Sequence, residues 1–264
     1  MREIDILVVS DLHLGTFGCR AQEFGRYLNS VQPKMIILNG DIIDIWQFKK
    51  NYFPASHMKV VRQLLKMASS IPVYYITGNH DEALRQYSDF SIGNLHLVDQ
   101  LEIEVNGNKY WFFHGDIFDV SIQSAKWLAK LGGASYDMLI RLNNVVNWFL
   151  IKTGREKMSF SKRIKNSVKH AVKYISDFEE SAAEFAIQKG VDYVCCGHIH
   201  QPQIRQIYNG EGEVNYLNSG DWIENLTALE YSNNQWSMYT YDEEQYQIDE
   251  IVDKWKLERS LLGA

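Results

Sequence analysis

The chain has 264 residues, of which 45% are hydrophobic and 23% are charged, a balance typical of a globular protein and not of a disordered or fibrous one. Its 33 acidic residues outnumber the 27 lysines and arginines, and the formal net charge of -6 disfavours a general nucleic-acid binder.

The cellular location is predicted from three features: the start of the chain, the length of its apolar runs and its cysteine content. Acidic residues at Glu3 and Asp5 interrupt the start, where a secretion signal needs an apolar stretch. No run approaches the roughly 20 apolar residues of a transmembrane helix. The three cysteines, Cys19, Cys195 and Cys196, form no disulfide framework. We therefore expect a cytoplasmic protein.

The first third of the chain alternates short apolar runs with helical stretches. Residues 4–9, 35–38 and 73–77 are apolar almost throughout and predict buried strands. Residues 22–29 and 59–69 predict helices between them. This order predicts βαβ units on a largely parallel sheet.

The later part of the chain predicts further strands. Residues 101–105 and 109–113 flank an Asn-Gly turn and predict a hairpin, and residues 193–196 form another apolar strand. Asn- and Gly-rich breaks separate four further runs, which predict an antiparallel meander over residues 203–208, 213–217, 227–231 and 235–241.

Residues 122–189 have a helical composition without proline. We therefore predict an α/β fold with two packed β-sheets in a single domain, 1–264, that carries a helical insertion at about residues 120–190.

Polar residues follow five of the predicted strands directly, where open α/β sheets bind their ligands. They are Asp11 and His13, then Asp41, then Asn79, His80 and Asp81, then His114, and finally His198 and His200. Each motif alone is explained by a turn or a helix cap. Five such motifs in succession along the chain favour a functional site.

The residue types in these motifs indicate the ligand. Carboxylate, imidazole and amide ligands suit borderline divalent ions, with Mn²⁺ as the expected ion and Fe²⁺, Zn²⁺ or Co²⁺ as alternatives. Seven candidates are too many for one tetrahedral ion and suit two ions that share a carboxylate. They are Asp11, His13, Asp41, Asn79, His114, His198 and His200.

The five motifs resemble those of the calcineurin-like metallophosphoesterase superfamily, whose fold sandwiches two mixed sheets between helices. The resemblance implies that Asp41 bridges two ions. It assigns Asp11, His13 and His200 to one ion, and Asn79, His114 and His198 to the other. It implies that His80 contacts the phosphate or protonates the leaving group, oriented by Asp81.

Each of three further carboxylates has two candidate roles. Asp44 and Asp116 lie close to the motifs and either orient ligand imidazoles or cap helices. Asp221 either faces the site or stabilises a turn.

Within the superfamily, the chain is similar to the UDP-2,3-diacylglucosamine pyrophosphatases and their relatives. The similar features are residues 10–15, Gly40-Asp41 with Trp46 nearby, and a helical insertion after residues 114–116. This resemblance implies cleavage of a nucleotide-linked glycolipid of lipid A synthesis at the inner membrane face. One position departs from the family, which usually has Arg where this chain has His80.

The insertion bears on the substrate. Residues 139–151 are apolar, and nine basic residues with a single acid lie between Arg141 and Lys173. This pattern fits either a peripheral contact of residues 139–173 with an anionic membrane or a buried helical hairpin with a solvated basic face.

Three functions remain open from the sequence. The first is a binuclear phosphohydrolase acting on a phosphorylated glycolipid or small molecule. The second is a phosphodiesterase or nucleotidase for soluble substrates, with the insertion as a lid. The third is a non-catalytic scaffold, which the complete ligand set disfavours. The oligomeric state is not predicted.

Overall fold

The computed structural model of the protein describes residues 1–46, 52–118, 161–244 and 246. Three α-helices lie in these ranges: α1 (Ala21–Ser30), α2 (Ala55–Ala68) and α3 (Ser161–Lys189). The twelve strands are β1 (Arg2–Val9), β2 (Val31–Asn39), β3 (Val73–Ile76), β4 (Ser91–Ile92), β5 (Leu95–Val98), β6 (Gln100–Val105), β7 (Asn108–Phe113), β8 (Tyr193–Cys196), β9 (Gln203–Tyr208), β10 (Glu213–Asn218), β11 (Thr227–Ser232) and β12 (Gln235–Thr240).

Two mixed sheets carry the fold, as predicted. The first has seven strands in the order β12-β11-β1-β2-β3-β5-β4, and the second has five in the order β6-β7-β8-β10-β9. In the first sheet β1, β2, β3 and β5 are parallel neighbours. In the second, β7, β8 and β10 are parallel neighbours. The motif-bearing strands therefore end at one edge of each sheet.

The layers follow from which face of each strand is apolar. Ile6 and Val8 of β1 pack with Phe112 and Cys195 in a core between the two sheets. Leu7 and Val9 point the other way, into a core that contains residues of α1 and α2. A third core joins the outer face of the second sheet to α3. The result is a helix–sheet–sheet–helix sandwich.

The adjacent cysteines follow the same alternation. Cys195 lies in the core between the sheets, and Cys196 lies in the core beneath α3. All three cysteines are free thiols.

The predicted meander is wrong. β9 and β10 pair antiparallel, but β10 joins β8 in the second sheet, whereas β11 lies beside β1 in the first. The chain between β10 and β11 therefore crosses from one sheet to the other. The Asn- and Gly-rich breaks marked the turns correctly, but a turn does not specify the sheet to which the next strand belongs.

Helix α3 agrees with the helical composition predicted for its part of the insertion. The apolar segment 139–151, and with it most of the predicted insertion, lies outside the described residues. No helix in the described ranges is both long and apolar enough to span a membrane.

Candidate metal centre

The loops after β1 and β2 are hydrogen-bonded to each other and carry three of the predicted ligands. The backbone N–H of Asp11 donates to the carbonyl of Gly40 at 3.1 Å, and that of His13 donates to the carbonyl of Asp41 at 2.9 Å. These bonds continue the pairing of two parallel strands beyond their ends. The carboxylates of Asp11 and Asp41 therefore meet in one cluster of possible ligand atoms, where both are buried.

Five of the predicted ligands have a left-handed backbone. Asp11, His13, Asp41, His198 and His200 have φ angles of 52°, 51°, 54°, 69° and 54°. Such angles cost a non-glycine residue about 1–2 kcal/mol each. Strained residues of this kind cluster at functional sites, where the surrounding structure holds them.

Glycines in three of the motifs allow the loops to approach closely. A Cβ atom on Gly40 would lie 2.2 Å from Nδ1 of His114, and one on Gly78 would lie 2.2 Å from Oδ1 of Asp41. A Cβ on Gly197 would lie 2.7 Å from Oδ2 of Asp11. These three positions therefore require glycine, because any side chain would collide with a residue of the site.

Asp11, His13 and His200 form one cluster of ligand atoms. Nε2 of His200 lies 3.2 Å from Oδ1 of Asp11, and Nε2 of His13 lies 3.9 Å from the same oxygen. Separations of this size leave room for an ion between the atoms.

Asp41 occupies the centre of the site. Its Oδ2 lies 3.3 Å from Nε2 of His114, 3.8 Å from Nε2 of His13 and 4.0 Å from Nε2 of His80. Its Oδ1 accepts a hydrogen bond from the backbone N–H of His80 at 2.8 Å. Asp41 belongs to two clusters, one with His13 and His80 and one with Asp11 and His114.

Four buried ligand atoms have no hydrogen-bond partner within the part of the chain that the structure describes. They are Oδ1 of Asp11, Nε2 of His13, Oδ1 of Asn79 and Nε2 of His114. An unsatisfied buried polar atom costs about 1–3 kcal/mol, and native structures keep such atoms rare. Among the described residues eight such atoms occur, and the four that lie together on predicted ligands fit divalent ions held by oxygen and imidazole nitrogen.

In three of the imidazoles, Nε2 points into the cluster and Nδ1, the other ring nitrogen, faces an oxygen atom. Nδ1 of His114 lies 3.0 Å from the carbonyl of Asn39, which fixes the proton on Nδ1 and directs the lone pair of Nε2 into the site. Nδ1 of His200 faces Asp221 at 3.8 Å, and Nδ1 of His13 faces Asp44 at 3.7 Å. This arrangement is typical of imidazoles that bind a metal.

His80 lies at the edge of the cluster against Asp44 and Trp46. Nδ1 of His80 is 3.1 Å from Oδ2 of Asp44, and the rings of His80 and Trp46 have centroids 4.4 Å apart. Asp44 therefore orients the imidazole of His80 and also faces that of His13, which is one of the two roles considered for it.

The predicted orientation of His80 by Asp81 is wrong. Oδ2 of Asp81 accepts hydrogen bonds from the backbone of Ile42 at 3.0 Å and the hydroxyl of Tyr75 at 2.6 Å, and Oδ1 accepts one from the backbone of Gly78. These donors hold the carboxylate beneath the loops, away from the imidazole. Asp81 therefore fixes the loop after β2 to the loop after β3.

Asp116 and Asp221 have structural partners. Asp116 forms an ion pair with Arg85 at 3.0 Å. Oδ1 of Asp221 accepts hydrogen bonds from the backbone of Ile223 and Glu224 at 2.7 and 2.6 Å. Because its other oxygen faces His200, Asp221 fulfils both roles considered for it.

His198 and Asn79 lie beside the clusters. The ring of His198 has its centroid 5.1 Å from that of His114, and its backbone N–H donates to Oδ2 of Asp11 at 3.1 Å. Asn79 contributes its buried amide oxygen. The structure thus brings all seven predicted ligands to one region.

Asn39 is a residue of the site that the sequence analysis missed. Besides accepting from His114, it donates through Nδ2 to the carbonyls of Phe113 and Cys195 at 3.2 and 3.3 Å. It therefore ties the end of β2 to the ends of β7 and β8. The signal for it was an amide at the last position of an apolar strand.

The buried charges perturb one another. Burial alone would raise the pKa of Asp41, but the imidazole of His114 lowers it to about 2. Burial would likewise raise the pKa of Asp11, yet His200 holds it well below its usual range. Burial lowers the pKa of His200, whereas Asp11 raises it to about 9. The carboxylates and imidazoles of the site are therefore strongly coupled electrostatically.

Comparisons with known proteins show which sequences and structures the chain is similar to. A family model described as calcineurin-like phosphoesterase matches residues 4–202. A UDP-2,3-diacylglucosamine hydrolase of Aliivibrio fischeri is 24% identical over 89% of this chain and 97% of its own length. A second UDP-2,3-diacylglucosamine hydrolase, from Stenotrophomonas maltophilia strain K279a, is 25% identical over 89% of this chain and 97% of its own length. A solved archaeal phosphodiesterase shares 14% identity over 89% of this chain and 98% of its own, with a TM-score of 0.44.

Proposed function

The chain belongs to the calcineurin-like phosphoesterase family, and we propose that it uses two divalent ions to hydrolyse the pyrophosphate of a UDP-diacylglucosamine-like glycolipid. The proposal rests above all on four buried ligand atoms that lack a hydrogen-bond partner among the described residues and belong to Asp11, His13, Asn79 and His114.

The two ions would share Asp41. Asp11, His13, Asp41 and His200 would hold one ion, a set supported by the short separations among the first, second and last of these residues. Asp41, Asn79, His114 and His198 would hold the other, supported by the 3.3 Å approach of His114 to Asp41. Mn²⁺ is the proposed ion, because carboxylate, amide and imidazole ligands suit it. When bound, the ions supply an activated water and neutralise charge on the phosphoryl oxygens.

We assign His80 as the residue that protonates the leaving oxygen. Burial lowers the pKa of His80, but its hydrogen bond to Asp44 and the charges of Asp41 and Asp44 raise the pKa above its usual value. The imidazole is therefore biased towards its protonated form, with Nδ1 held by Asp44 and Nε2 directed towards Asp41. A proton donor placed in this way contributes about 10²–10⁴-fold to the rate.

The surface beside the site supports a substrate with an apolar part. Large apolar side chains are exposed in the loops that follow three of the motifs: Phe17 at 85%, Trp46 at 51% and Ile117 at 53%. A polar centre beside exposed apolar residues suits an amphiphile, because it contacts a charged headgroup and hydrocarbon together. The names of the relatives specify such a molecule, UDP-2,3-diacylglucosamine. Contact of residues 139–173 with an anionic membrane remains part of this proposal.

The test compares an amphiphilic substrate with its soluble counterpart. Protein stripped with a chelator and reloaded with Mn²⁺ is given UDP-2,3-diacylglucosamine in detergent, UDP-glucose, or bis(4-nitrophenyl) phosphate. We expect metal-dependent release of UMP from UDP-2,3-diacylglucosamine, with a kcat/KM far higher than that for either soluble compound. Equal or higher kcat/KM for the soluble compounds would favour the soluble-substrate phosphodiesterase instead. Activity that persists after complete removal of metal would refute the proposed centre.

A further inference from the structure

Arg85 connects two of the ligand-bearing loops without contacting a ligand itself. It lies in the 3₁₀ turn Glu82–Tyr87, directly after the Asn79 motif. Its Nη2 donates to the carboxylate of Asp116 at 3.0 Å and to the carbonyl of Thr77 at 3.4 Å. Its Nε donates to Asp99 at 2.8 Å and to the hydroxyl of Thr77 at 3.3 Å.

The partners of Arg85 belong to different sheets. Thr77 follows β3 of the first sheet and lies two residues before Asn79. Asp116 follows β7 of the second sheet and lies two residues after His114. Asp99 is the residue between β5 and β6, where the chain passes from the first sheet to the second. One guanidinium therefore spans the boundary between the sheets next to two ligands proposed for the same ion.

We infer that Arg85 is a positioning residue that sets the separation of Asn79 and His114 and thereby maintains the second metal position. This inference rests on the proposed two-ion centre. The planar guanidinium fork fixes both distance and direction between its partners, which an ammonium on a flexible chain does not.

The energetics distinguish positioning from general stabilisation. The side chain of Arg85 is 36% exposed, that of Asp99 is 50% exposed and that of Asp116 is 13% exposed. The exposed pair with Asp99 contributes little to folding, so the contact that matters for the inference is the one with Asp116. Residues that orient metal ligands from outside, in contrast, typically change metal affinity by about 10–100-fold when they are replaced.

The experiment measures binding of Mn²⁺ by calorimetry and the coupling between bound ions by electron paramagnetic resonance. In Arg85→Gln we expect one ion to bind as in the wild type, the other to bind at least tenfold more weakly, and the coupled signal to fall accordingly. The melting temperature of the metal-free protein should stay close to that of the wild type. Arg26→Gln is the matched control, because Arg26 is 39% exposed and pairs with Glu243. It should bind both ions normally.

Two further variants keep the inference testable if Arg85→Gln folds poorly. Arg85→Lys retains the charge without the fork and should bind the second ion with intermediate affinity. Asp116→Ala should reproduce the selective loss, and combining it with Arg85→Gln should add little, because both act through one contact.

The possible outcomes separate this inference from the proposed function. A wild type that binds fewer than two ions would refute the two-ion centre itself. A wild type with two ions and an Arg85→Gln variant with two equally tight ions would refute only the role of Arg85. Equal weakening of both ions, or additive effects of the two substitutions, would also refute it.

Discussion

Replacing Gly40 by alanine tests whether close packing of the loops is a requirement of the metal centre. Gly40 has a φ of +88°, and an added Cβ would lie 2.2 Å from Nδ1 of His114 and 2.4 Å from Cγ of the same ring. The substitution therefore imposes two separate penalties. One is backbone strain, and the other is displacement of a proposed ligand.

The two penalties differ in what they change. An alanine at this φ costs about 1–2 kcal/mol, and each kcal/mol lowers the melting temperature of a chain of this size by about 2–4 °C. To restore van der Waals contact, the ring must move by about 1 Å. A displacement of that size near reacting groups reduces rates by about 10²-fold. We therefore expect moderate destabilisation, loss of metal at the His114 position and a loss of turnover of about that size.

Two other glycines separate the penalties experimentally. Gly107 has a φ of +80° with no atom within 4 Å of an added Cβ, so Gly107→Ala introduces strain alone. In Gly78→Ala the new Cβ would lie 2.2 Å from Oδ1 of Asp41, so this variant disturbs the site directly. Melting temperature, metal content by elemental analysis and the rate of phosphodiester hydrolysis are measured for all three variants. Gly107→Ala should lose stability only.

The result that would refute this reasoning is specific. If Gly40→Ala binds two ions and its turnover lies within threefold of that of Gly107→Ala, the loops can separate without consequence. The close approach of Gly40 to His114 would then be incidental to the site.

Three further results are expected. Asp41→Ala removes the shared carboxylate and should abolish metal content at both positions, so elemental analysis that still finds two ions would contradict the assignment. His80→Asn should keep both ions and reduce kcat by about 10²–10⁴-fold; a near-normal kcat would exclude His80 as the proton donor. His57 accepts a hydrogen bond from the backbone of Gly15 through Nδ1 at 2.9 Å, and burial lowers its pKa below the usual 6.5. The neutral imidazole therefore stabilises the fold above about pH 6.5, and this contribution is lost as the pH falls. The melting temperature should drop less between pH 7.5 and 5.5 in His57→Asn, whose side-chain oxygen accepts the same bond without titrating, and an unchanged drop would exclude His57 as the cause.

The convergence of the seven proposed ligands was predictable from the sequence because each of them follows an apolar strand. Parallel strands end at the same edge of a sheet, so residues placed directly after them meet without any knowledge of the loops. Asp11 and Asp41 are the clearest example, since their loops continue the pairing of β1 and β2.

The partner of His80 was not predictable in the same way. Asp44 and Asp81 both lie in motif loops, and the adjacent residue was the simpler choice. Backbone N–H groups of Ile42 and Gly78 compete for Asp81 and hold it elsewhere. Such competition depends on loop geometry, which local sequence patterns do not encode. The crossing from β10 to β11 was missed for a related reason, since strand pairing depends on distant residues.

The hydrogen bonds of Asn39 have a consequence for the cellular fate of the protein. Its amide joins the ends of three strands from both sheets, and its carbonyl holds His114. Binding of the proposed ions would therefore be thermodynamically linked to cohesion of the sandwich, because an ion that binds only the assembled state stabilises that state. Cells starved of the ion would then contain less of the protein as well as a less active one, with quality-control proteases removing the unloaded chains.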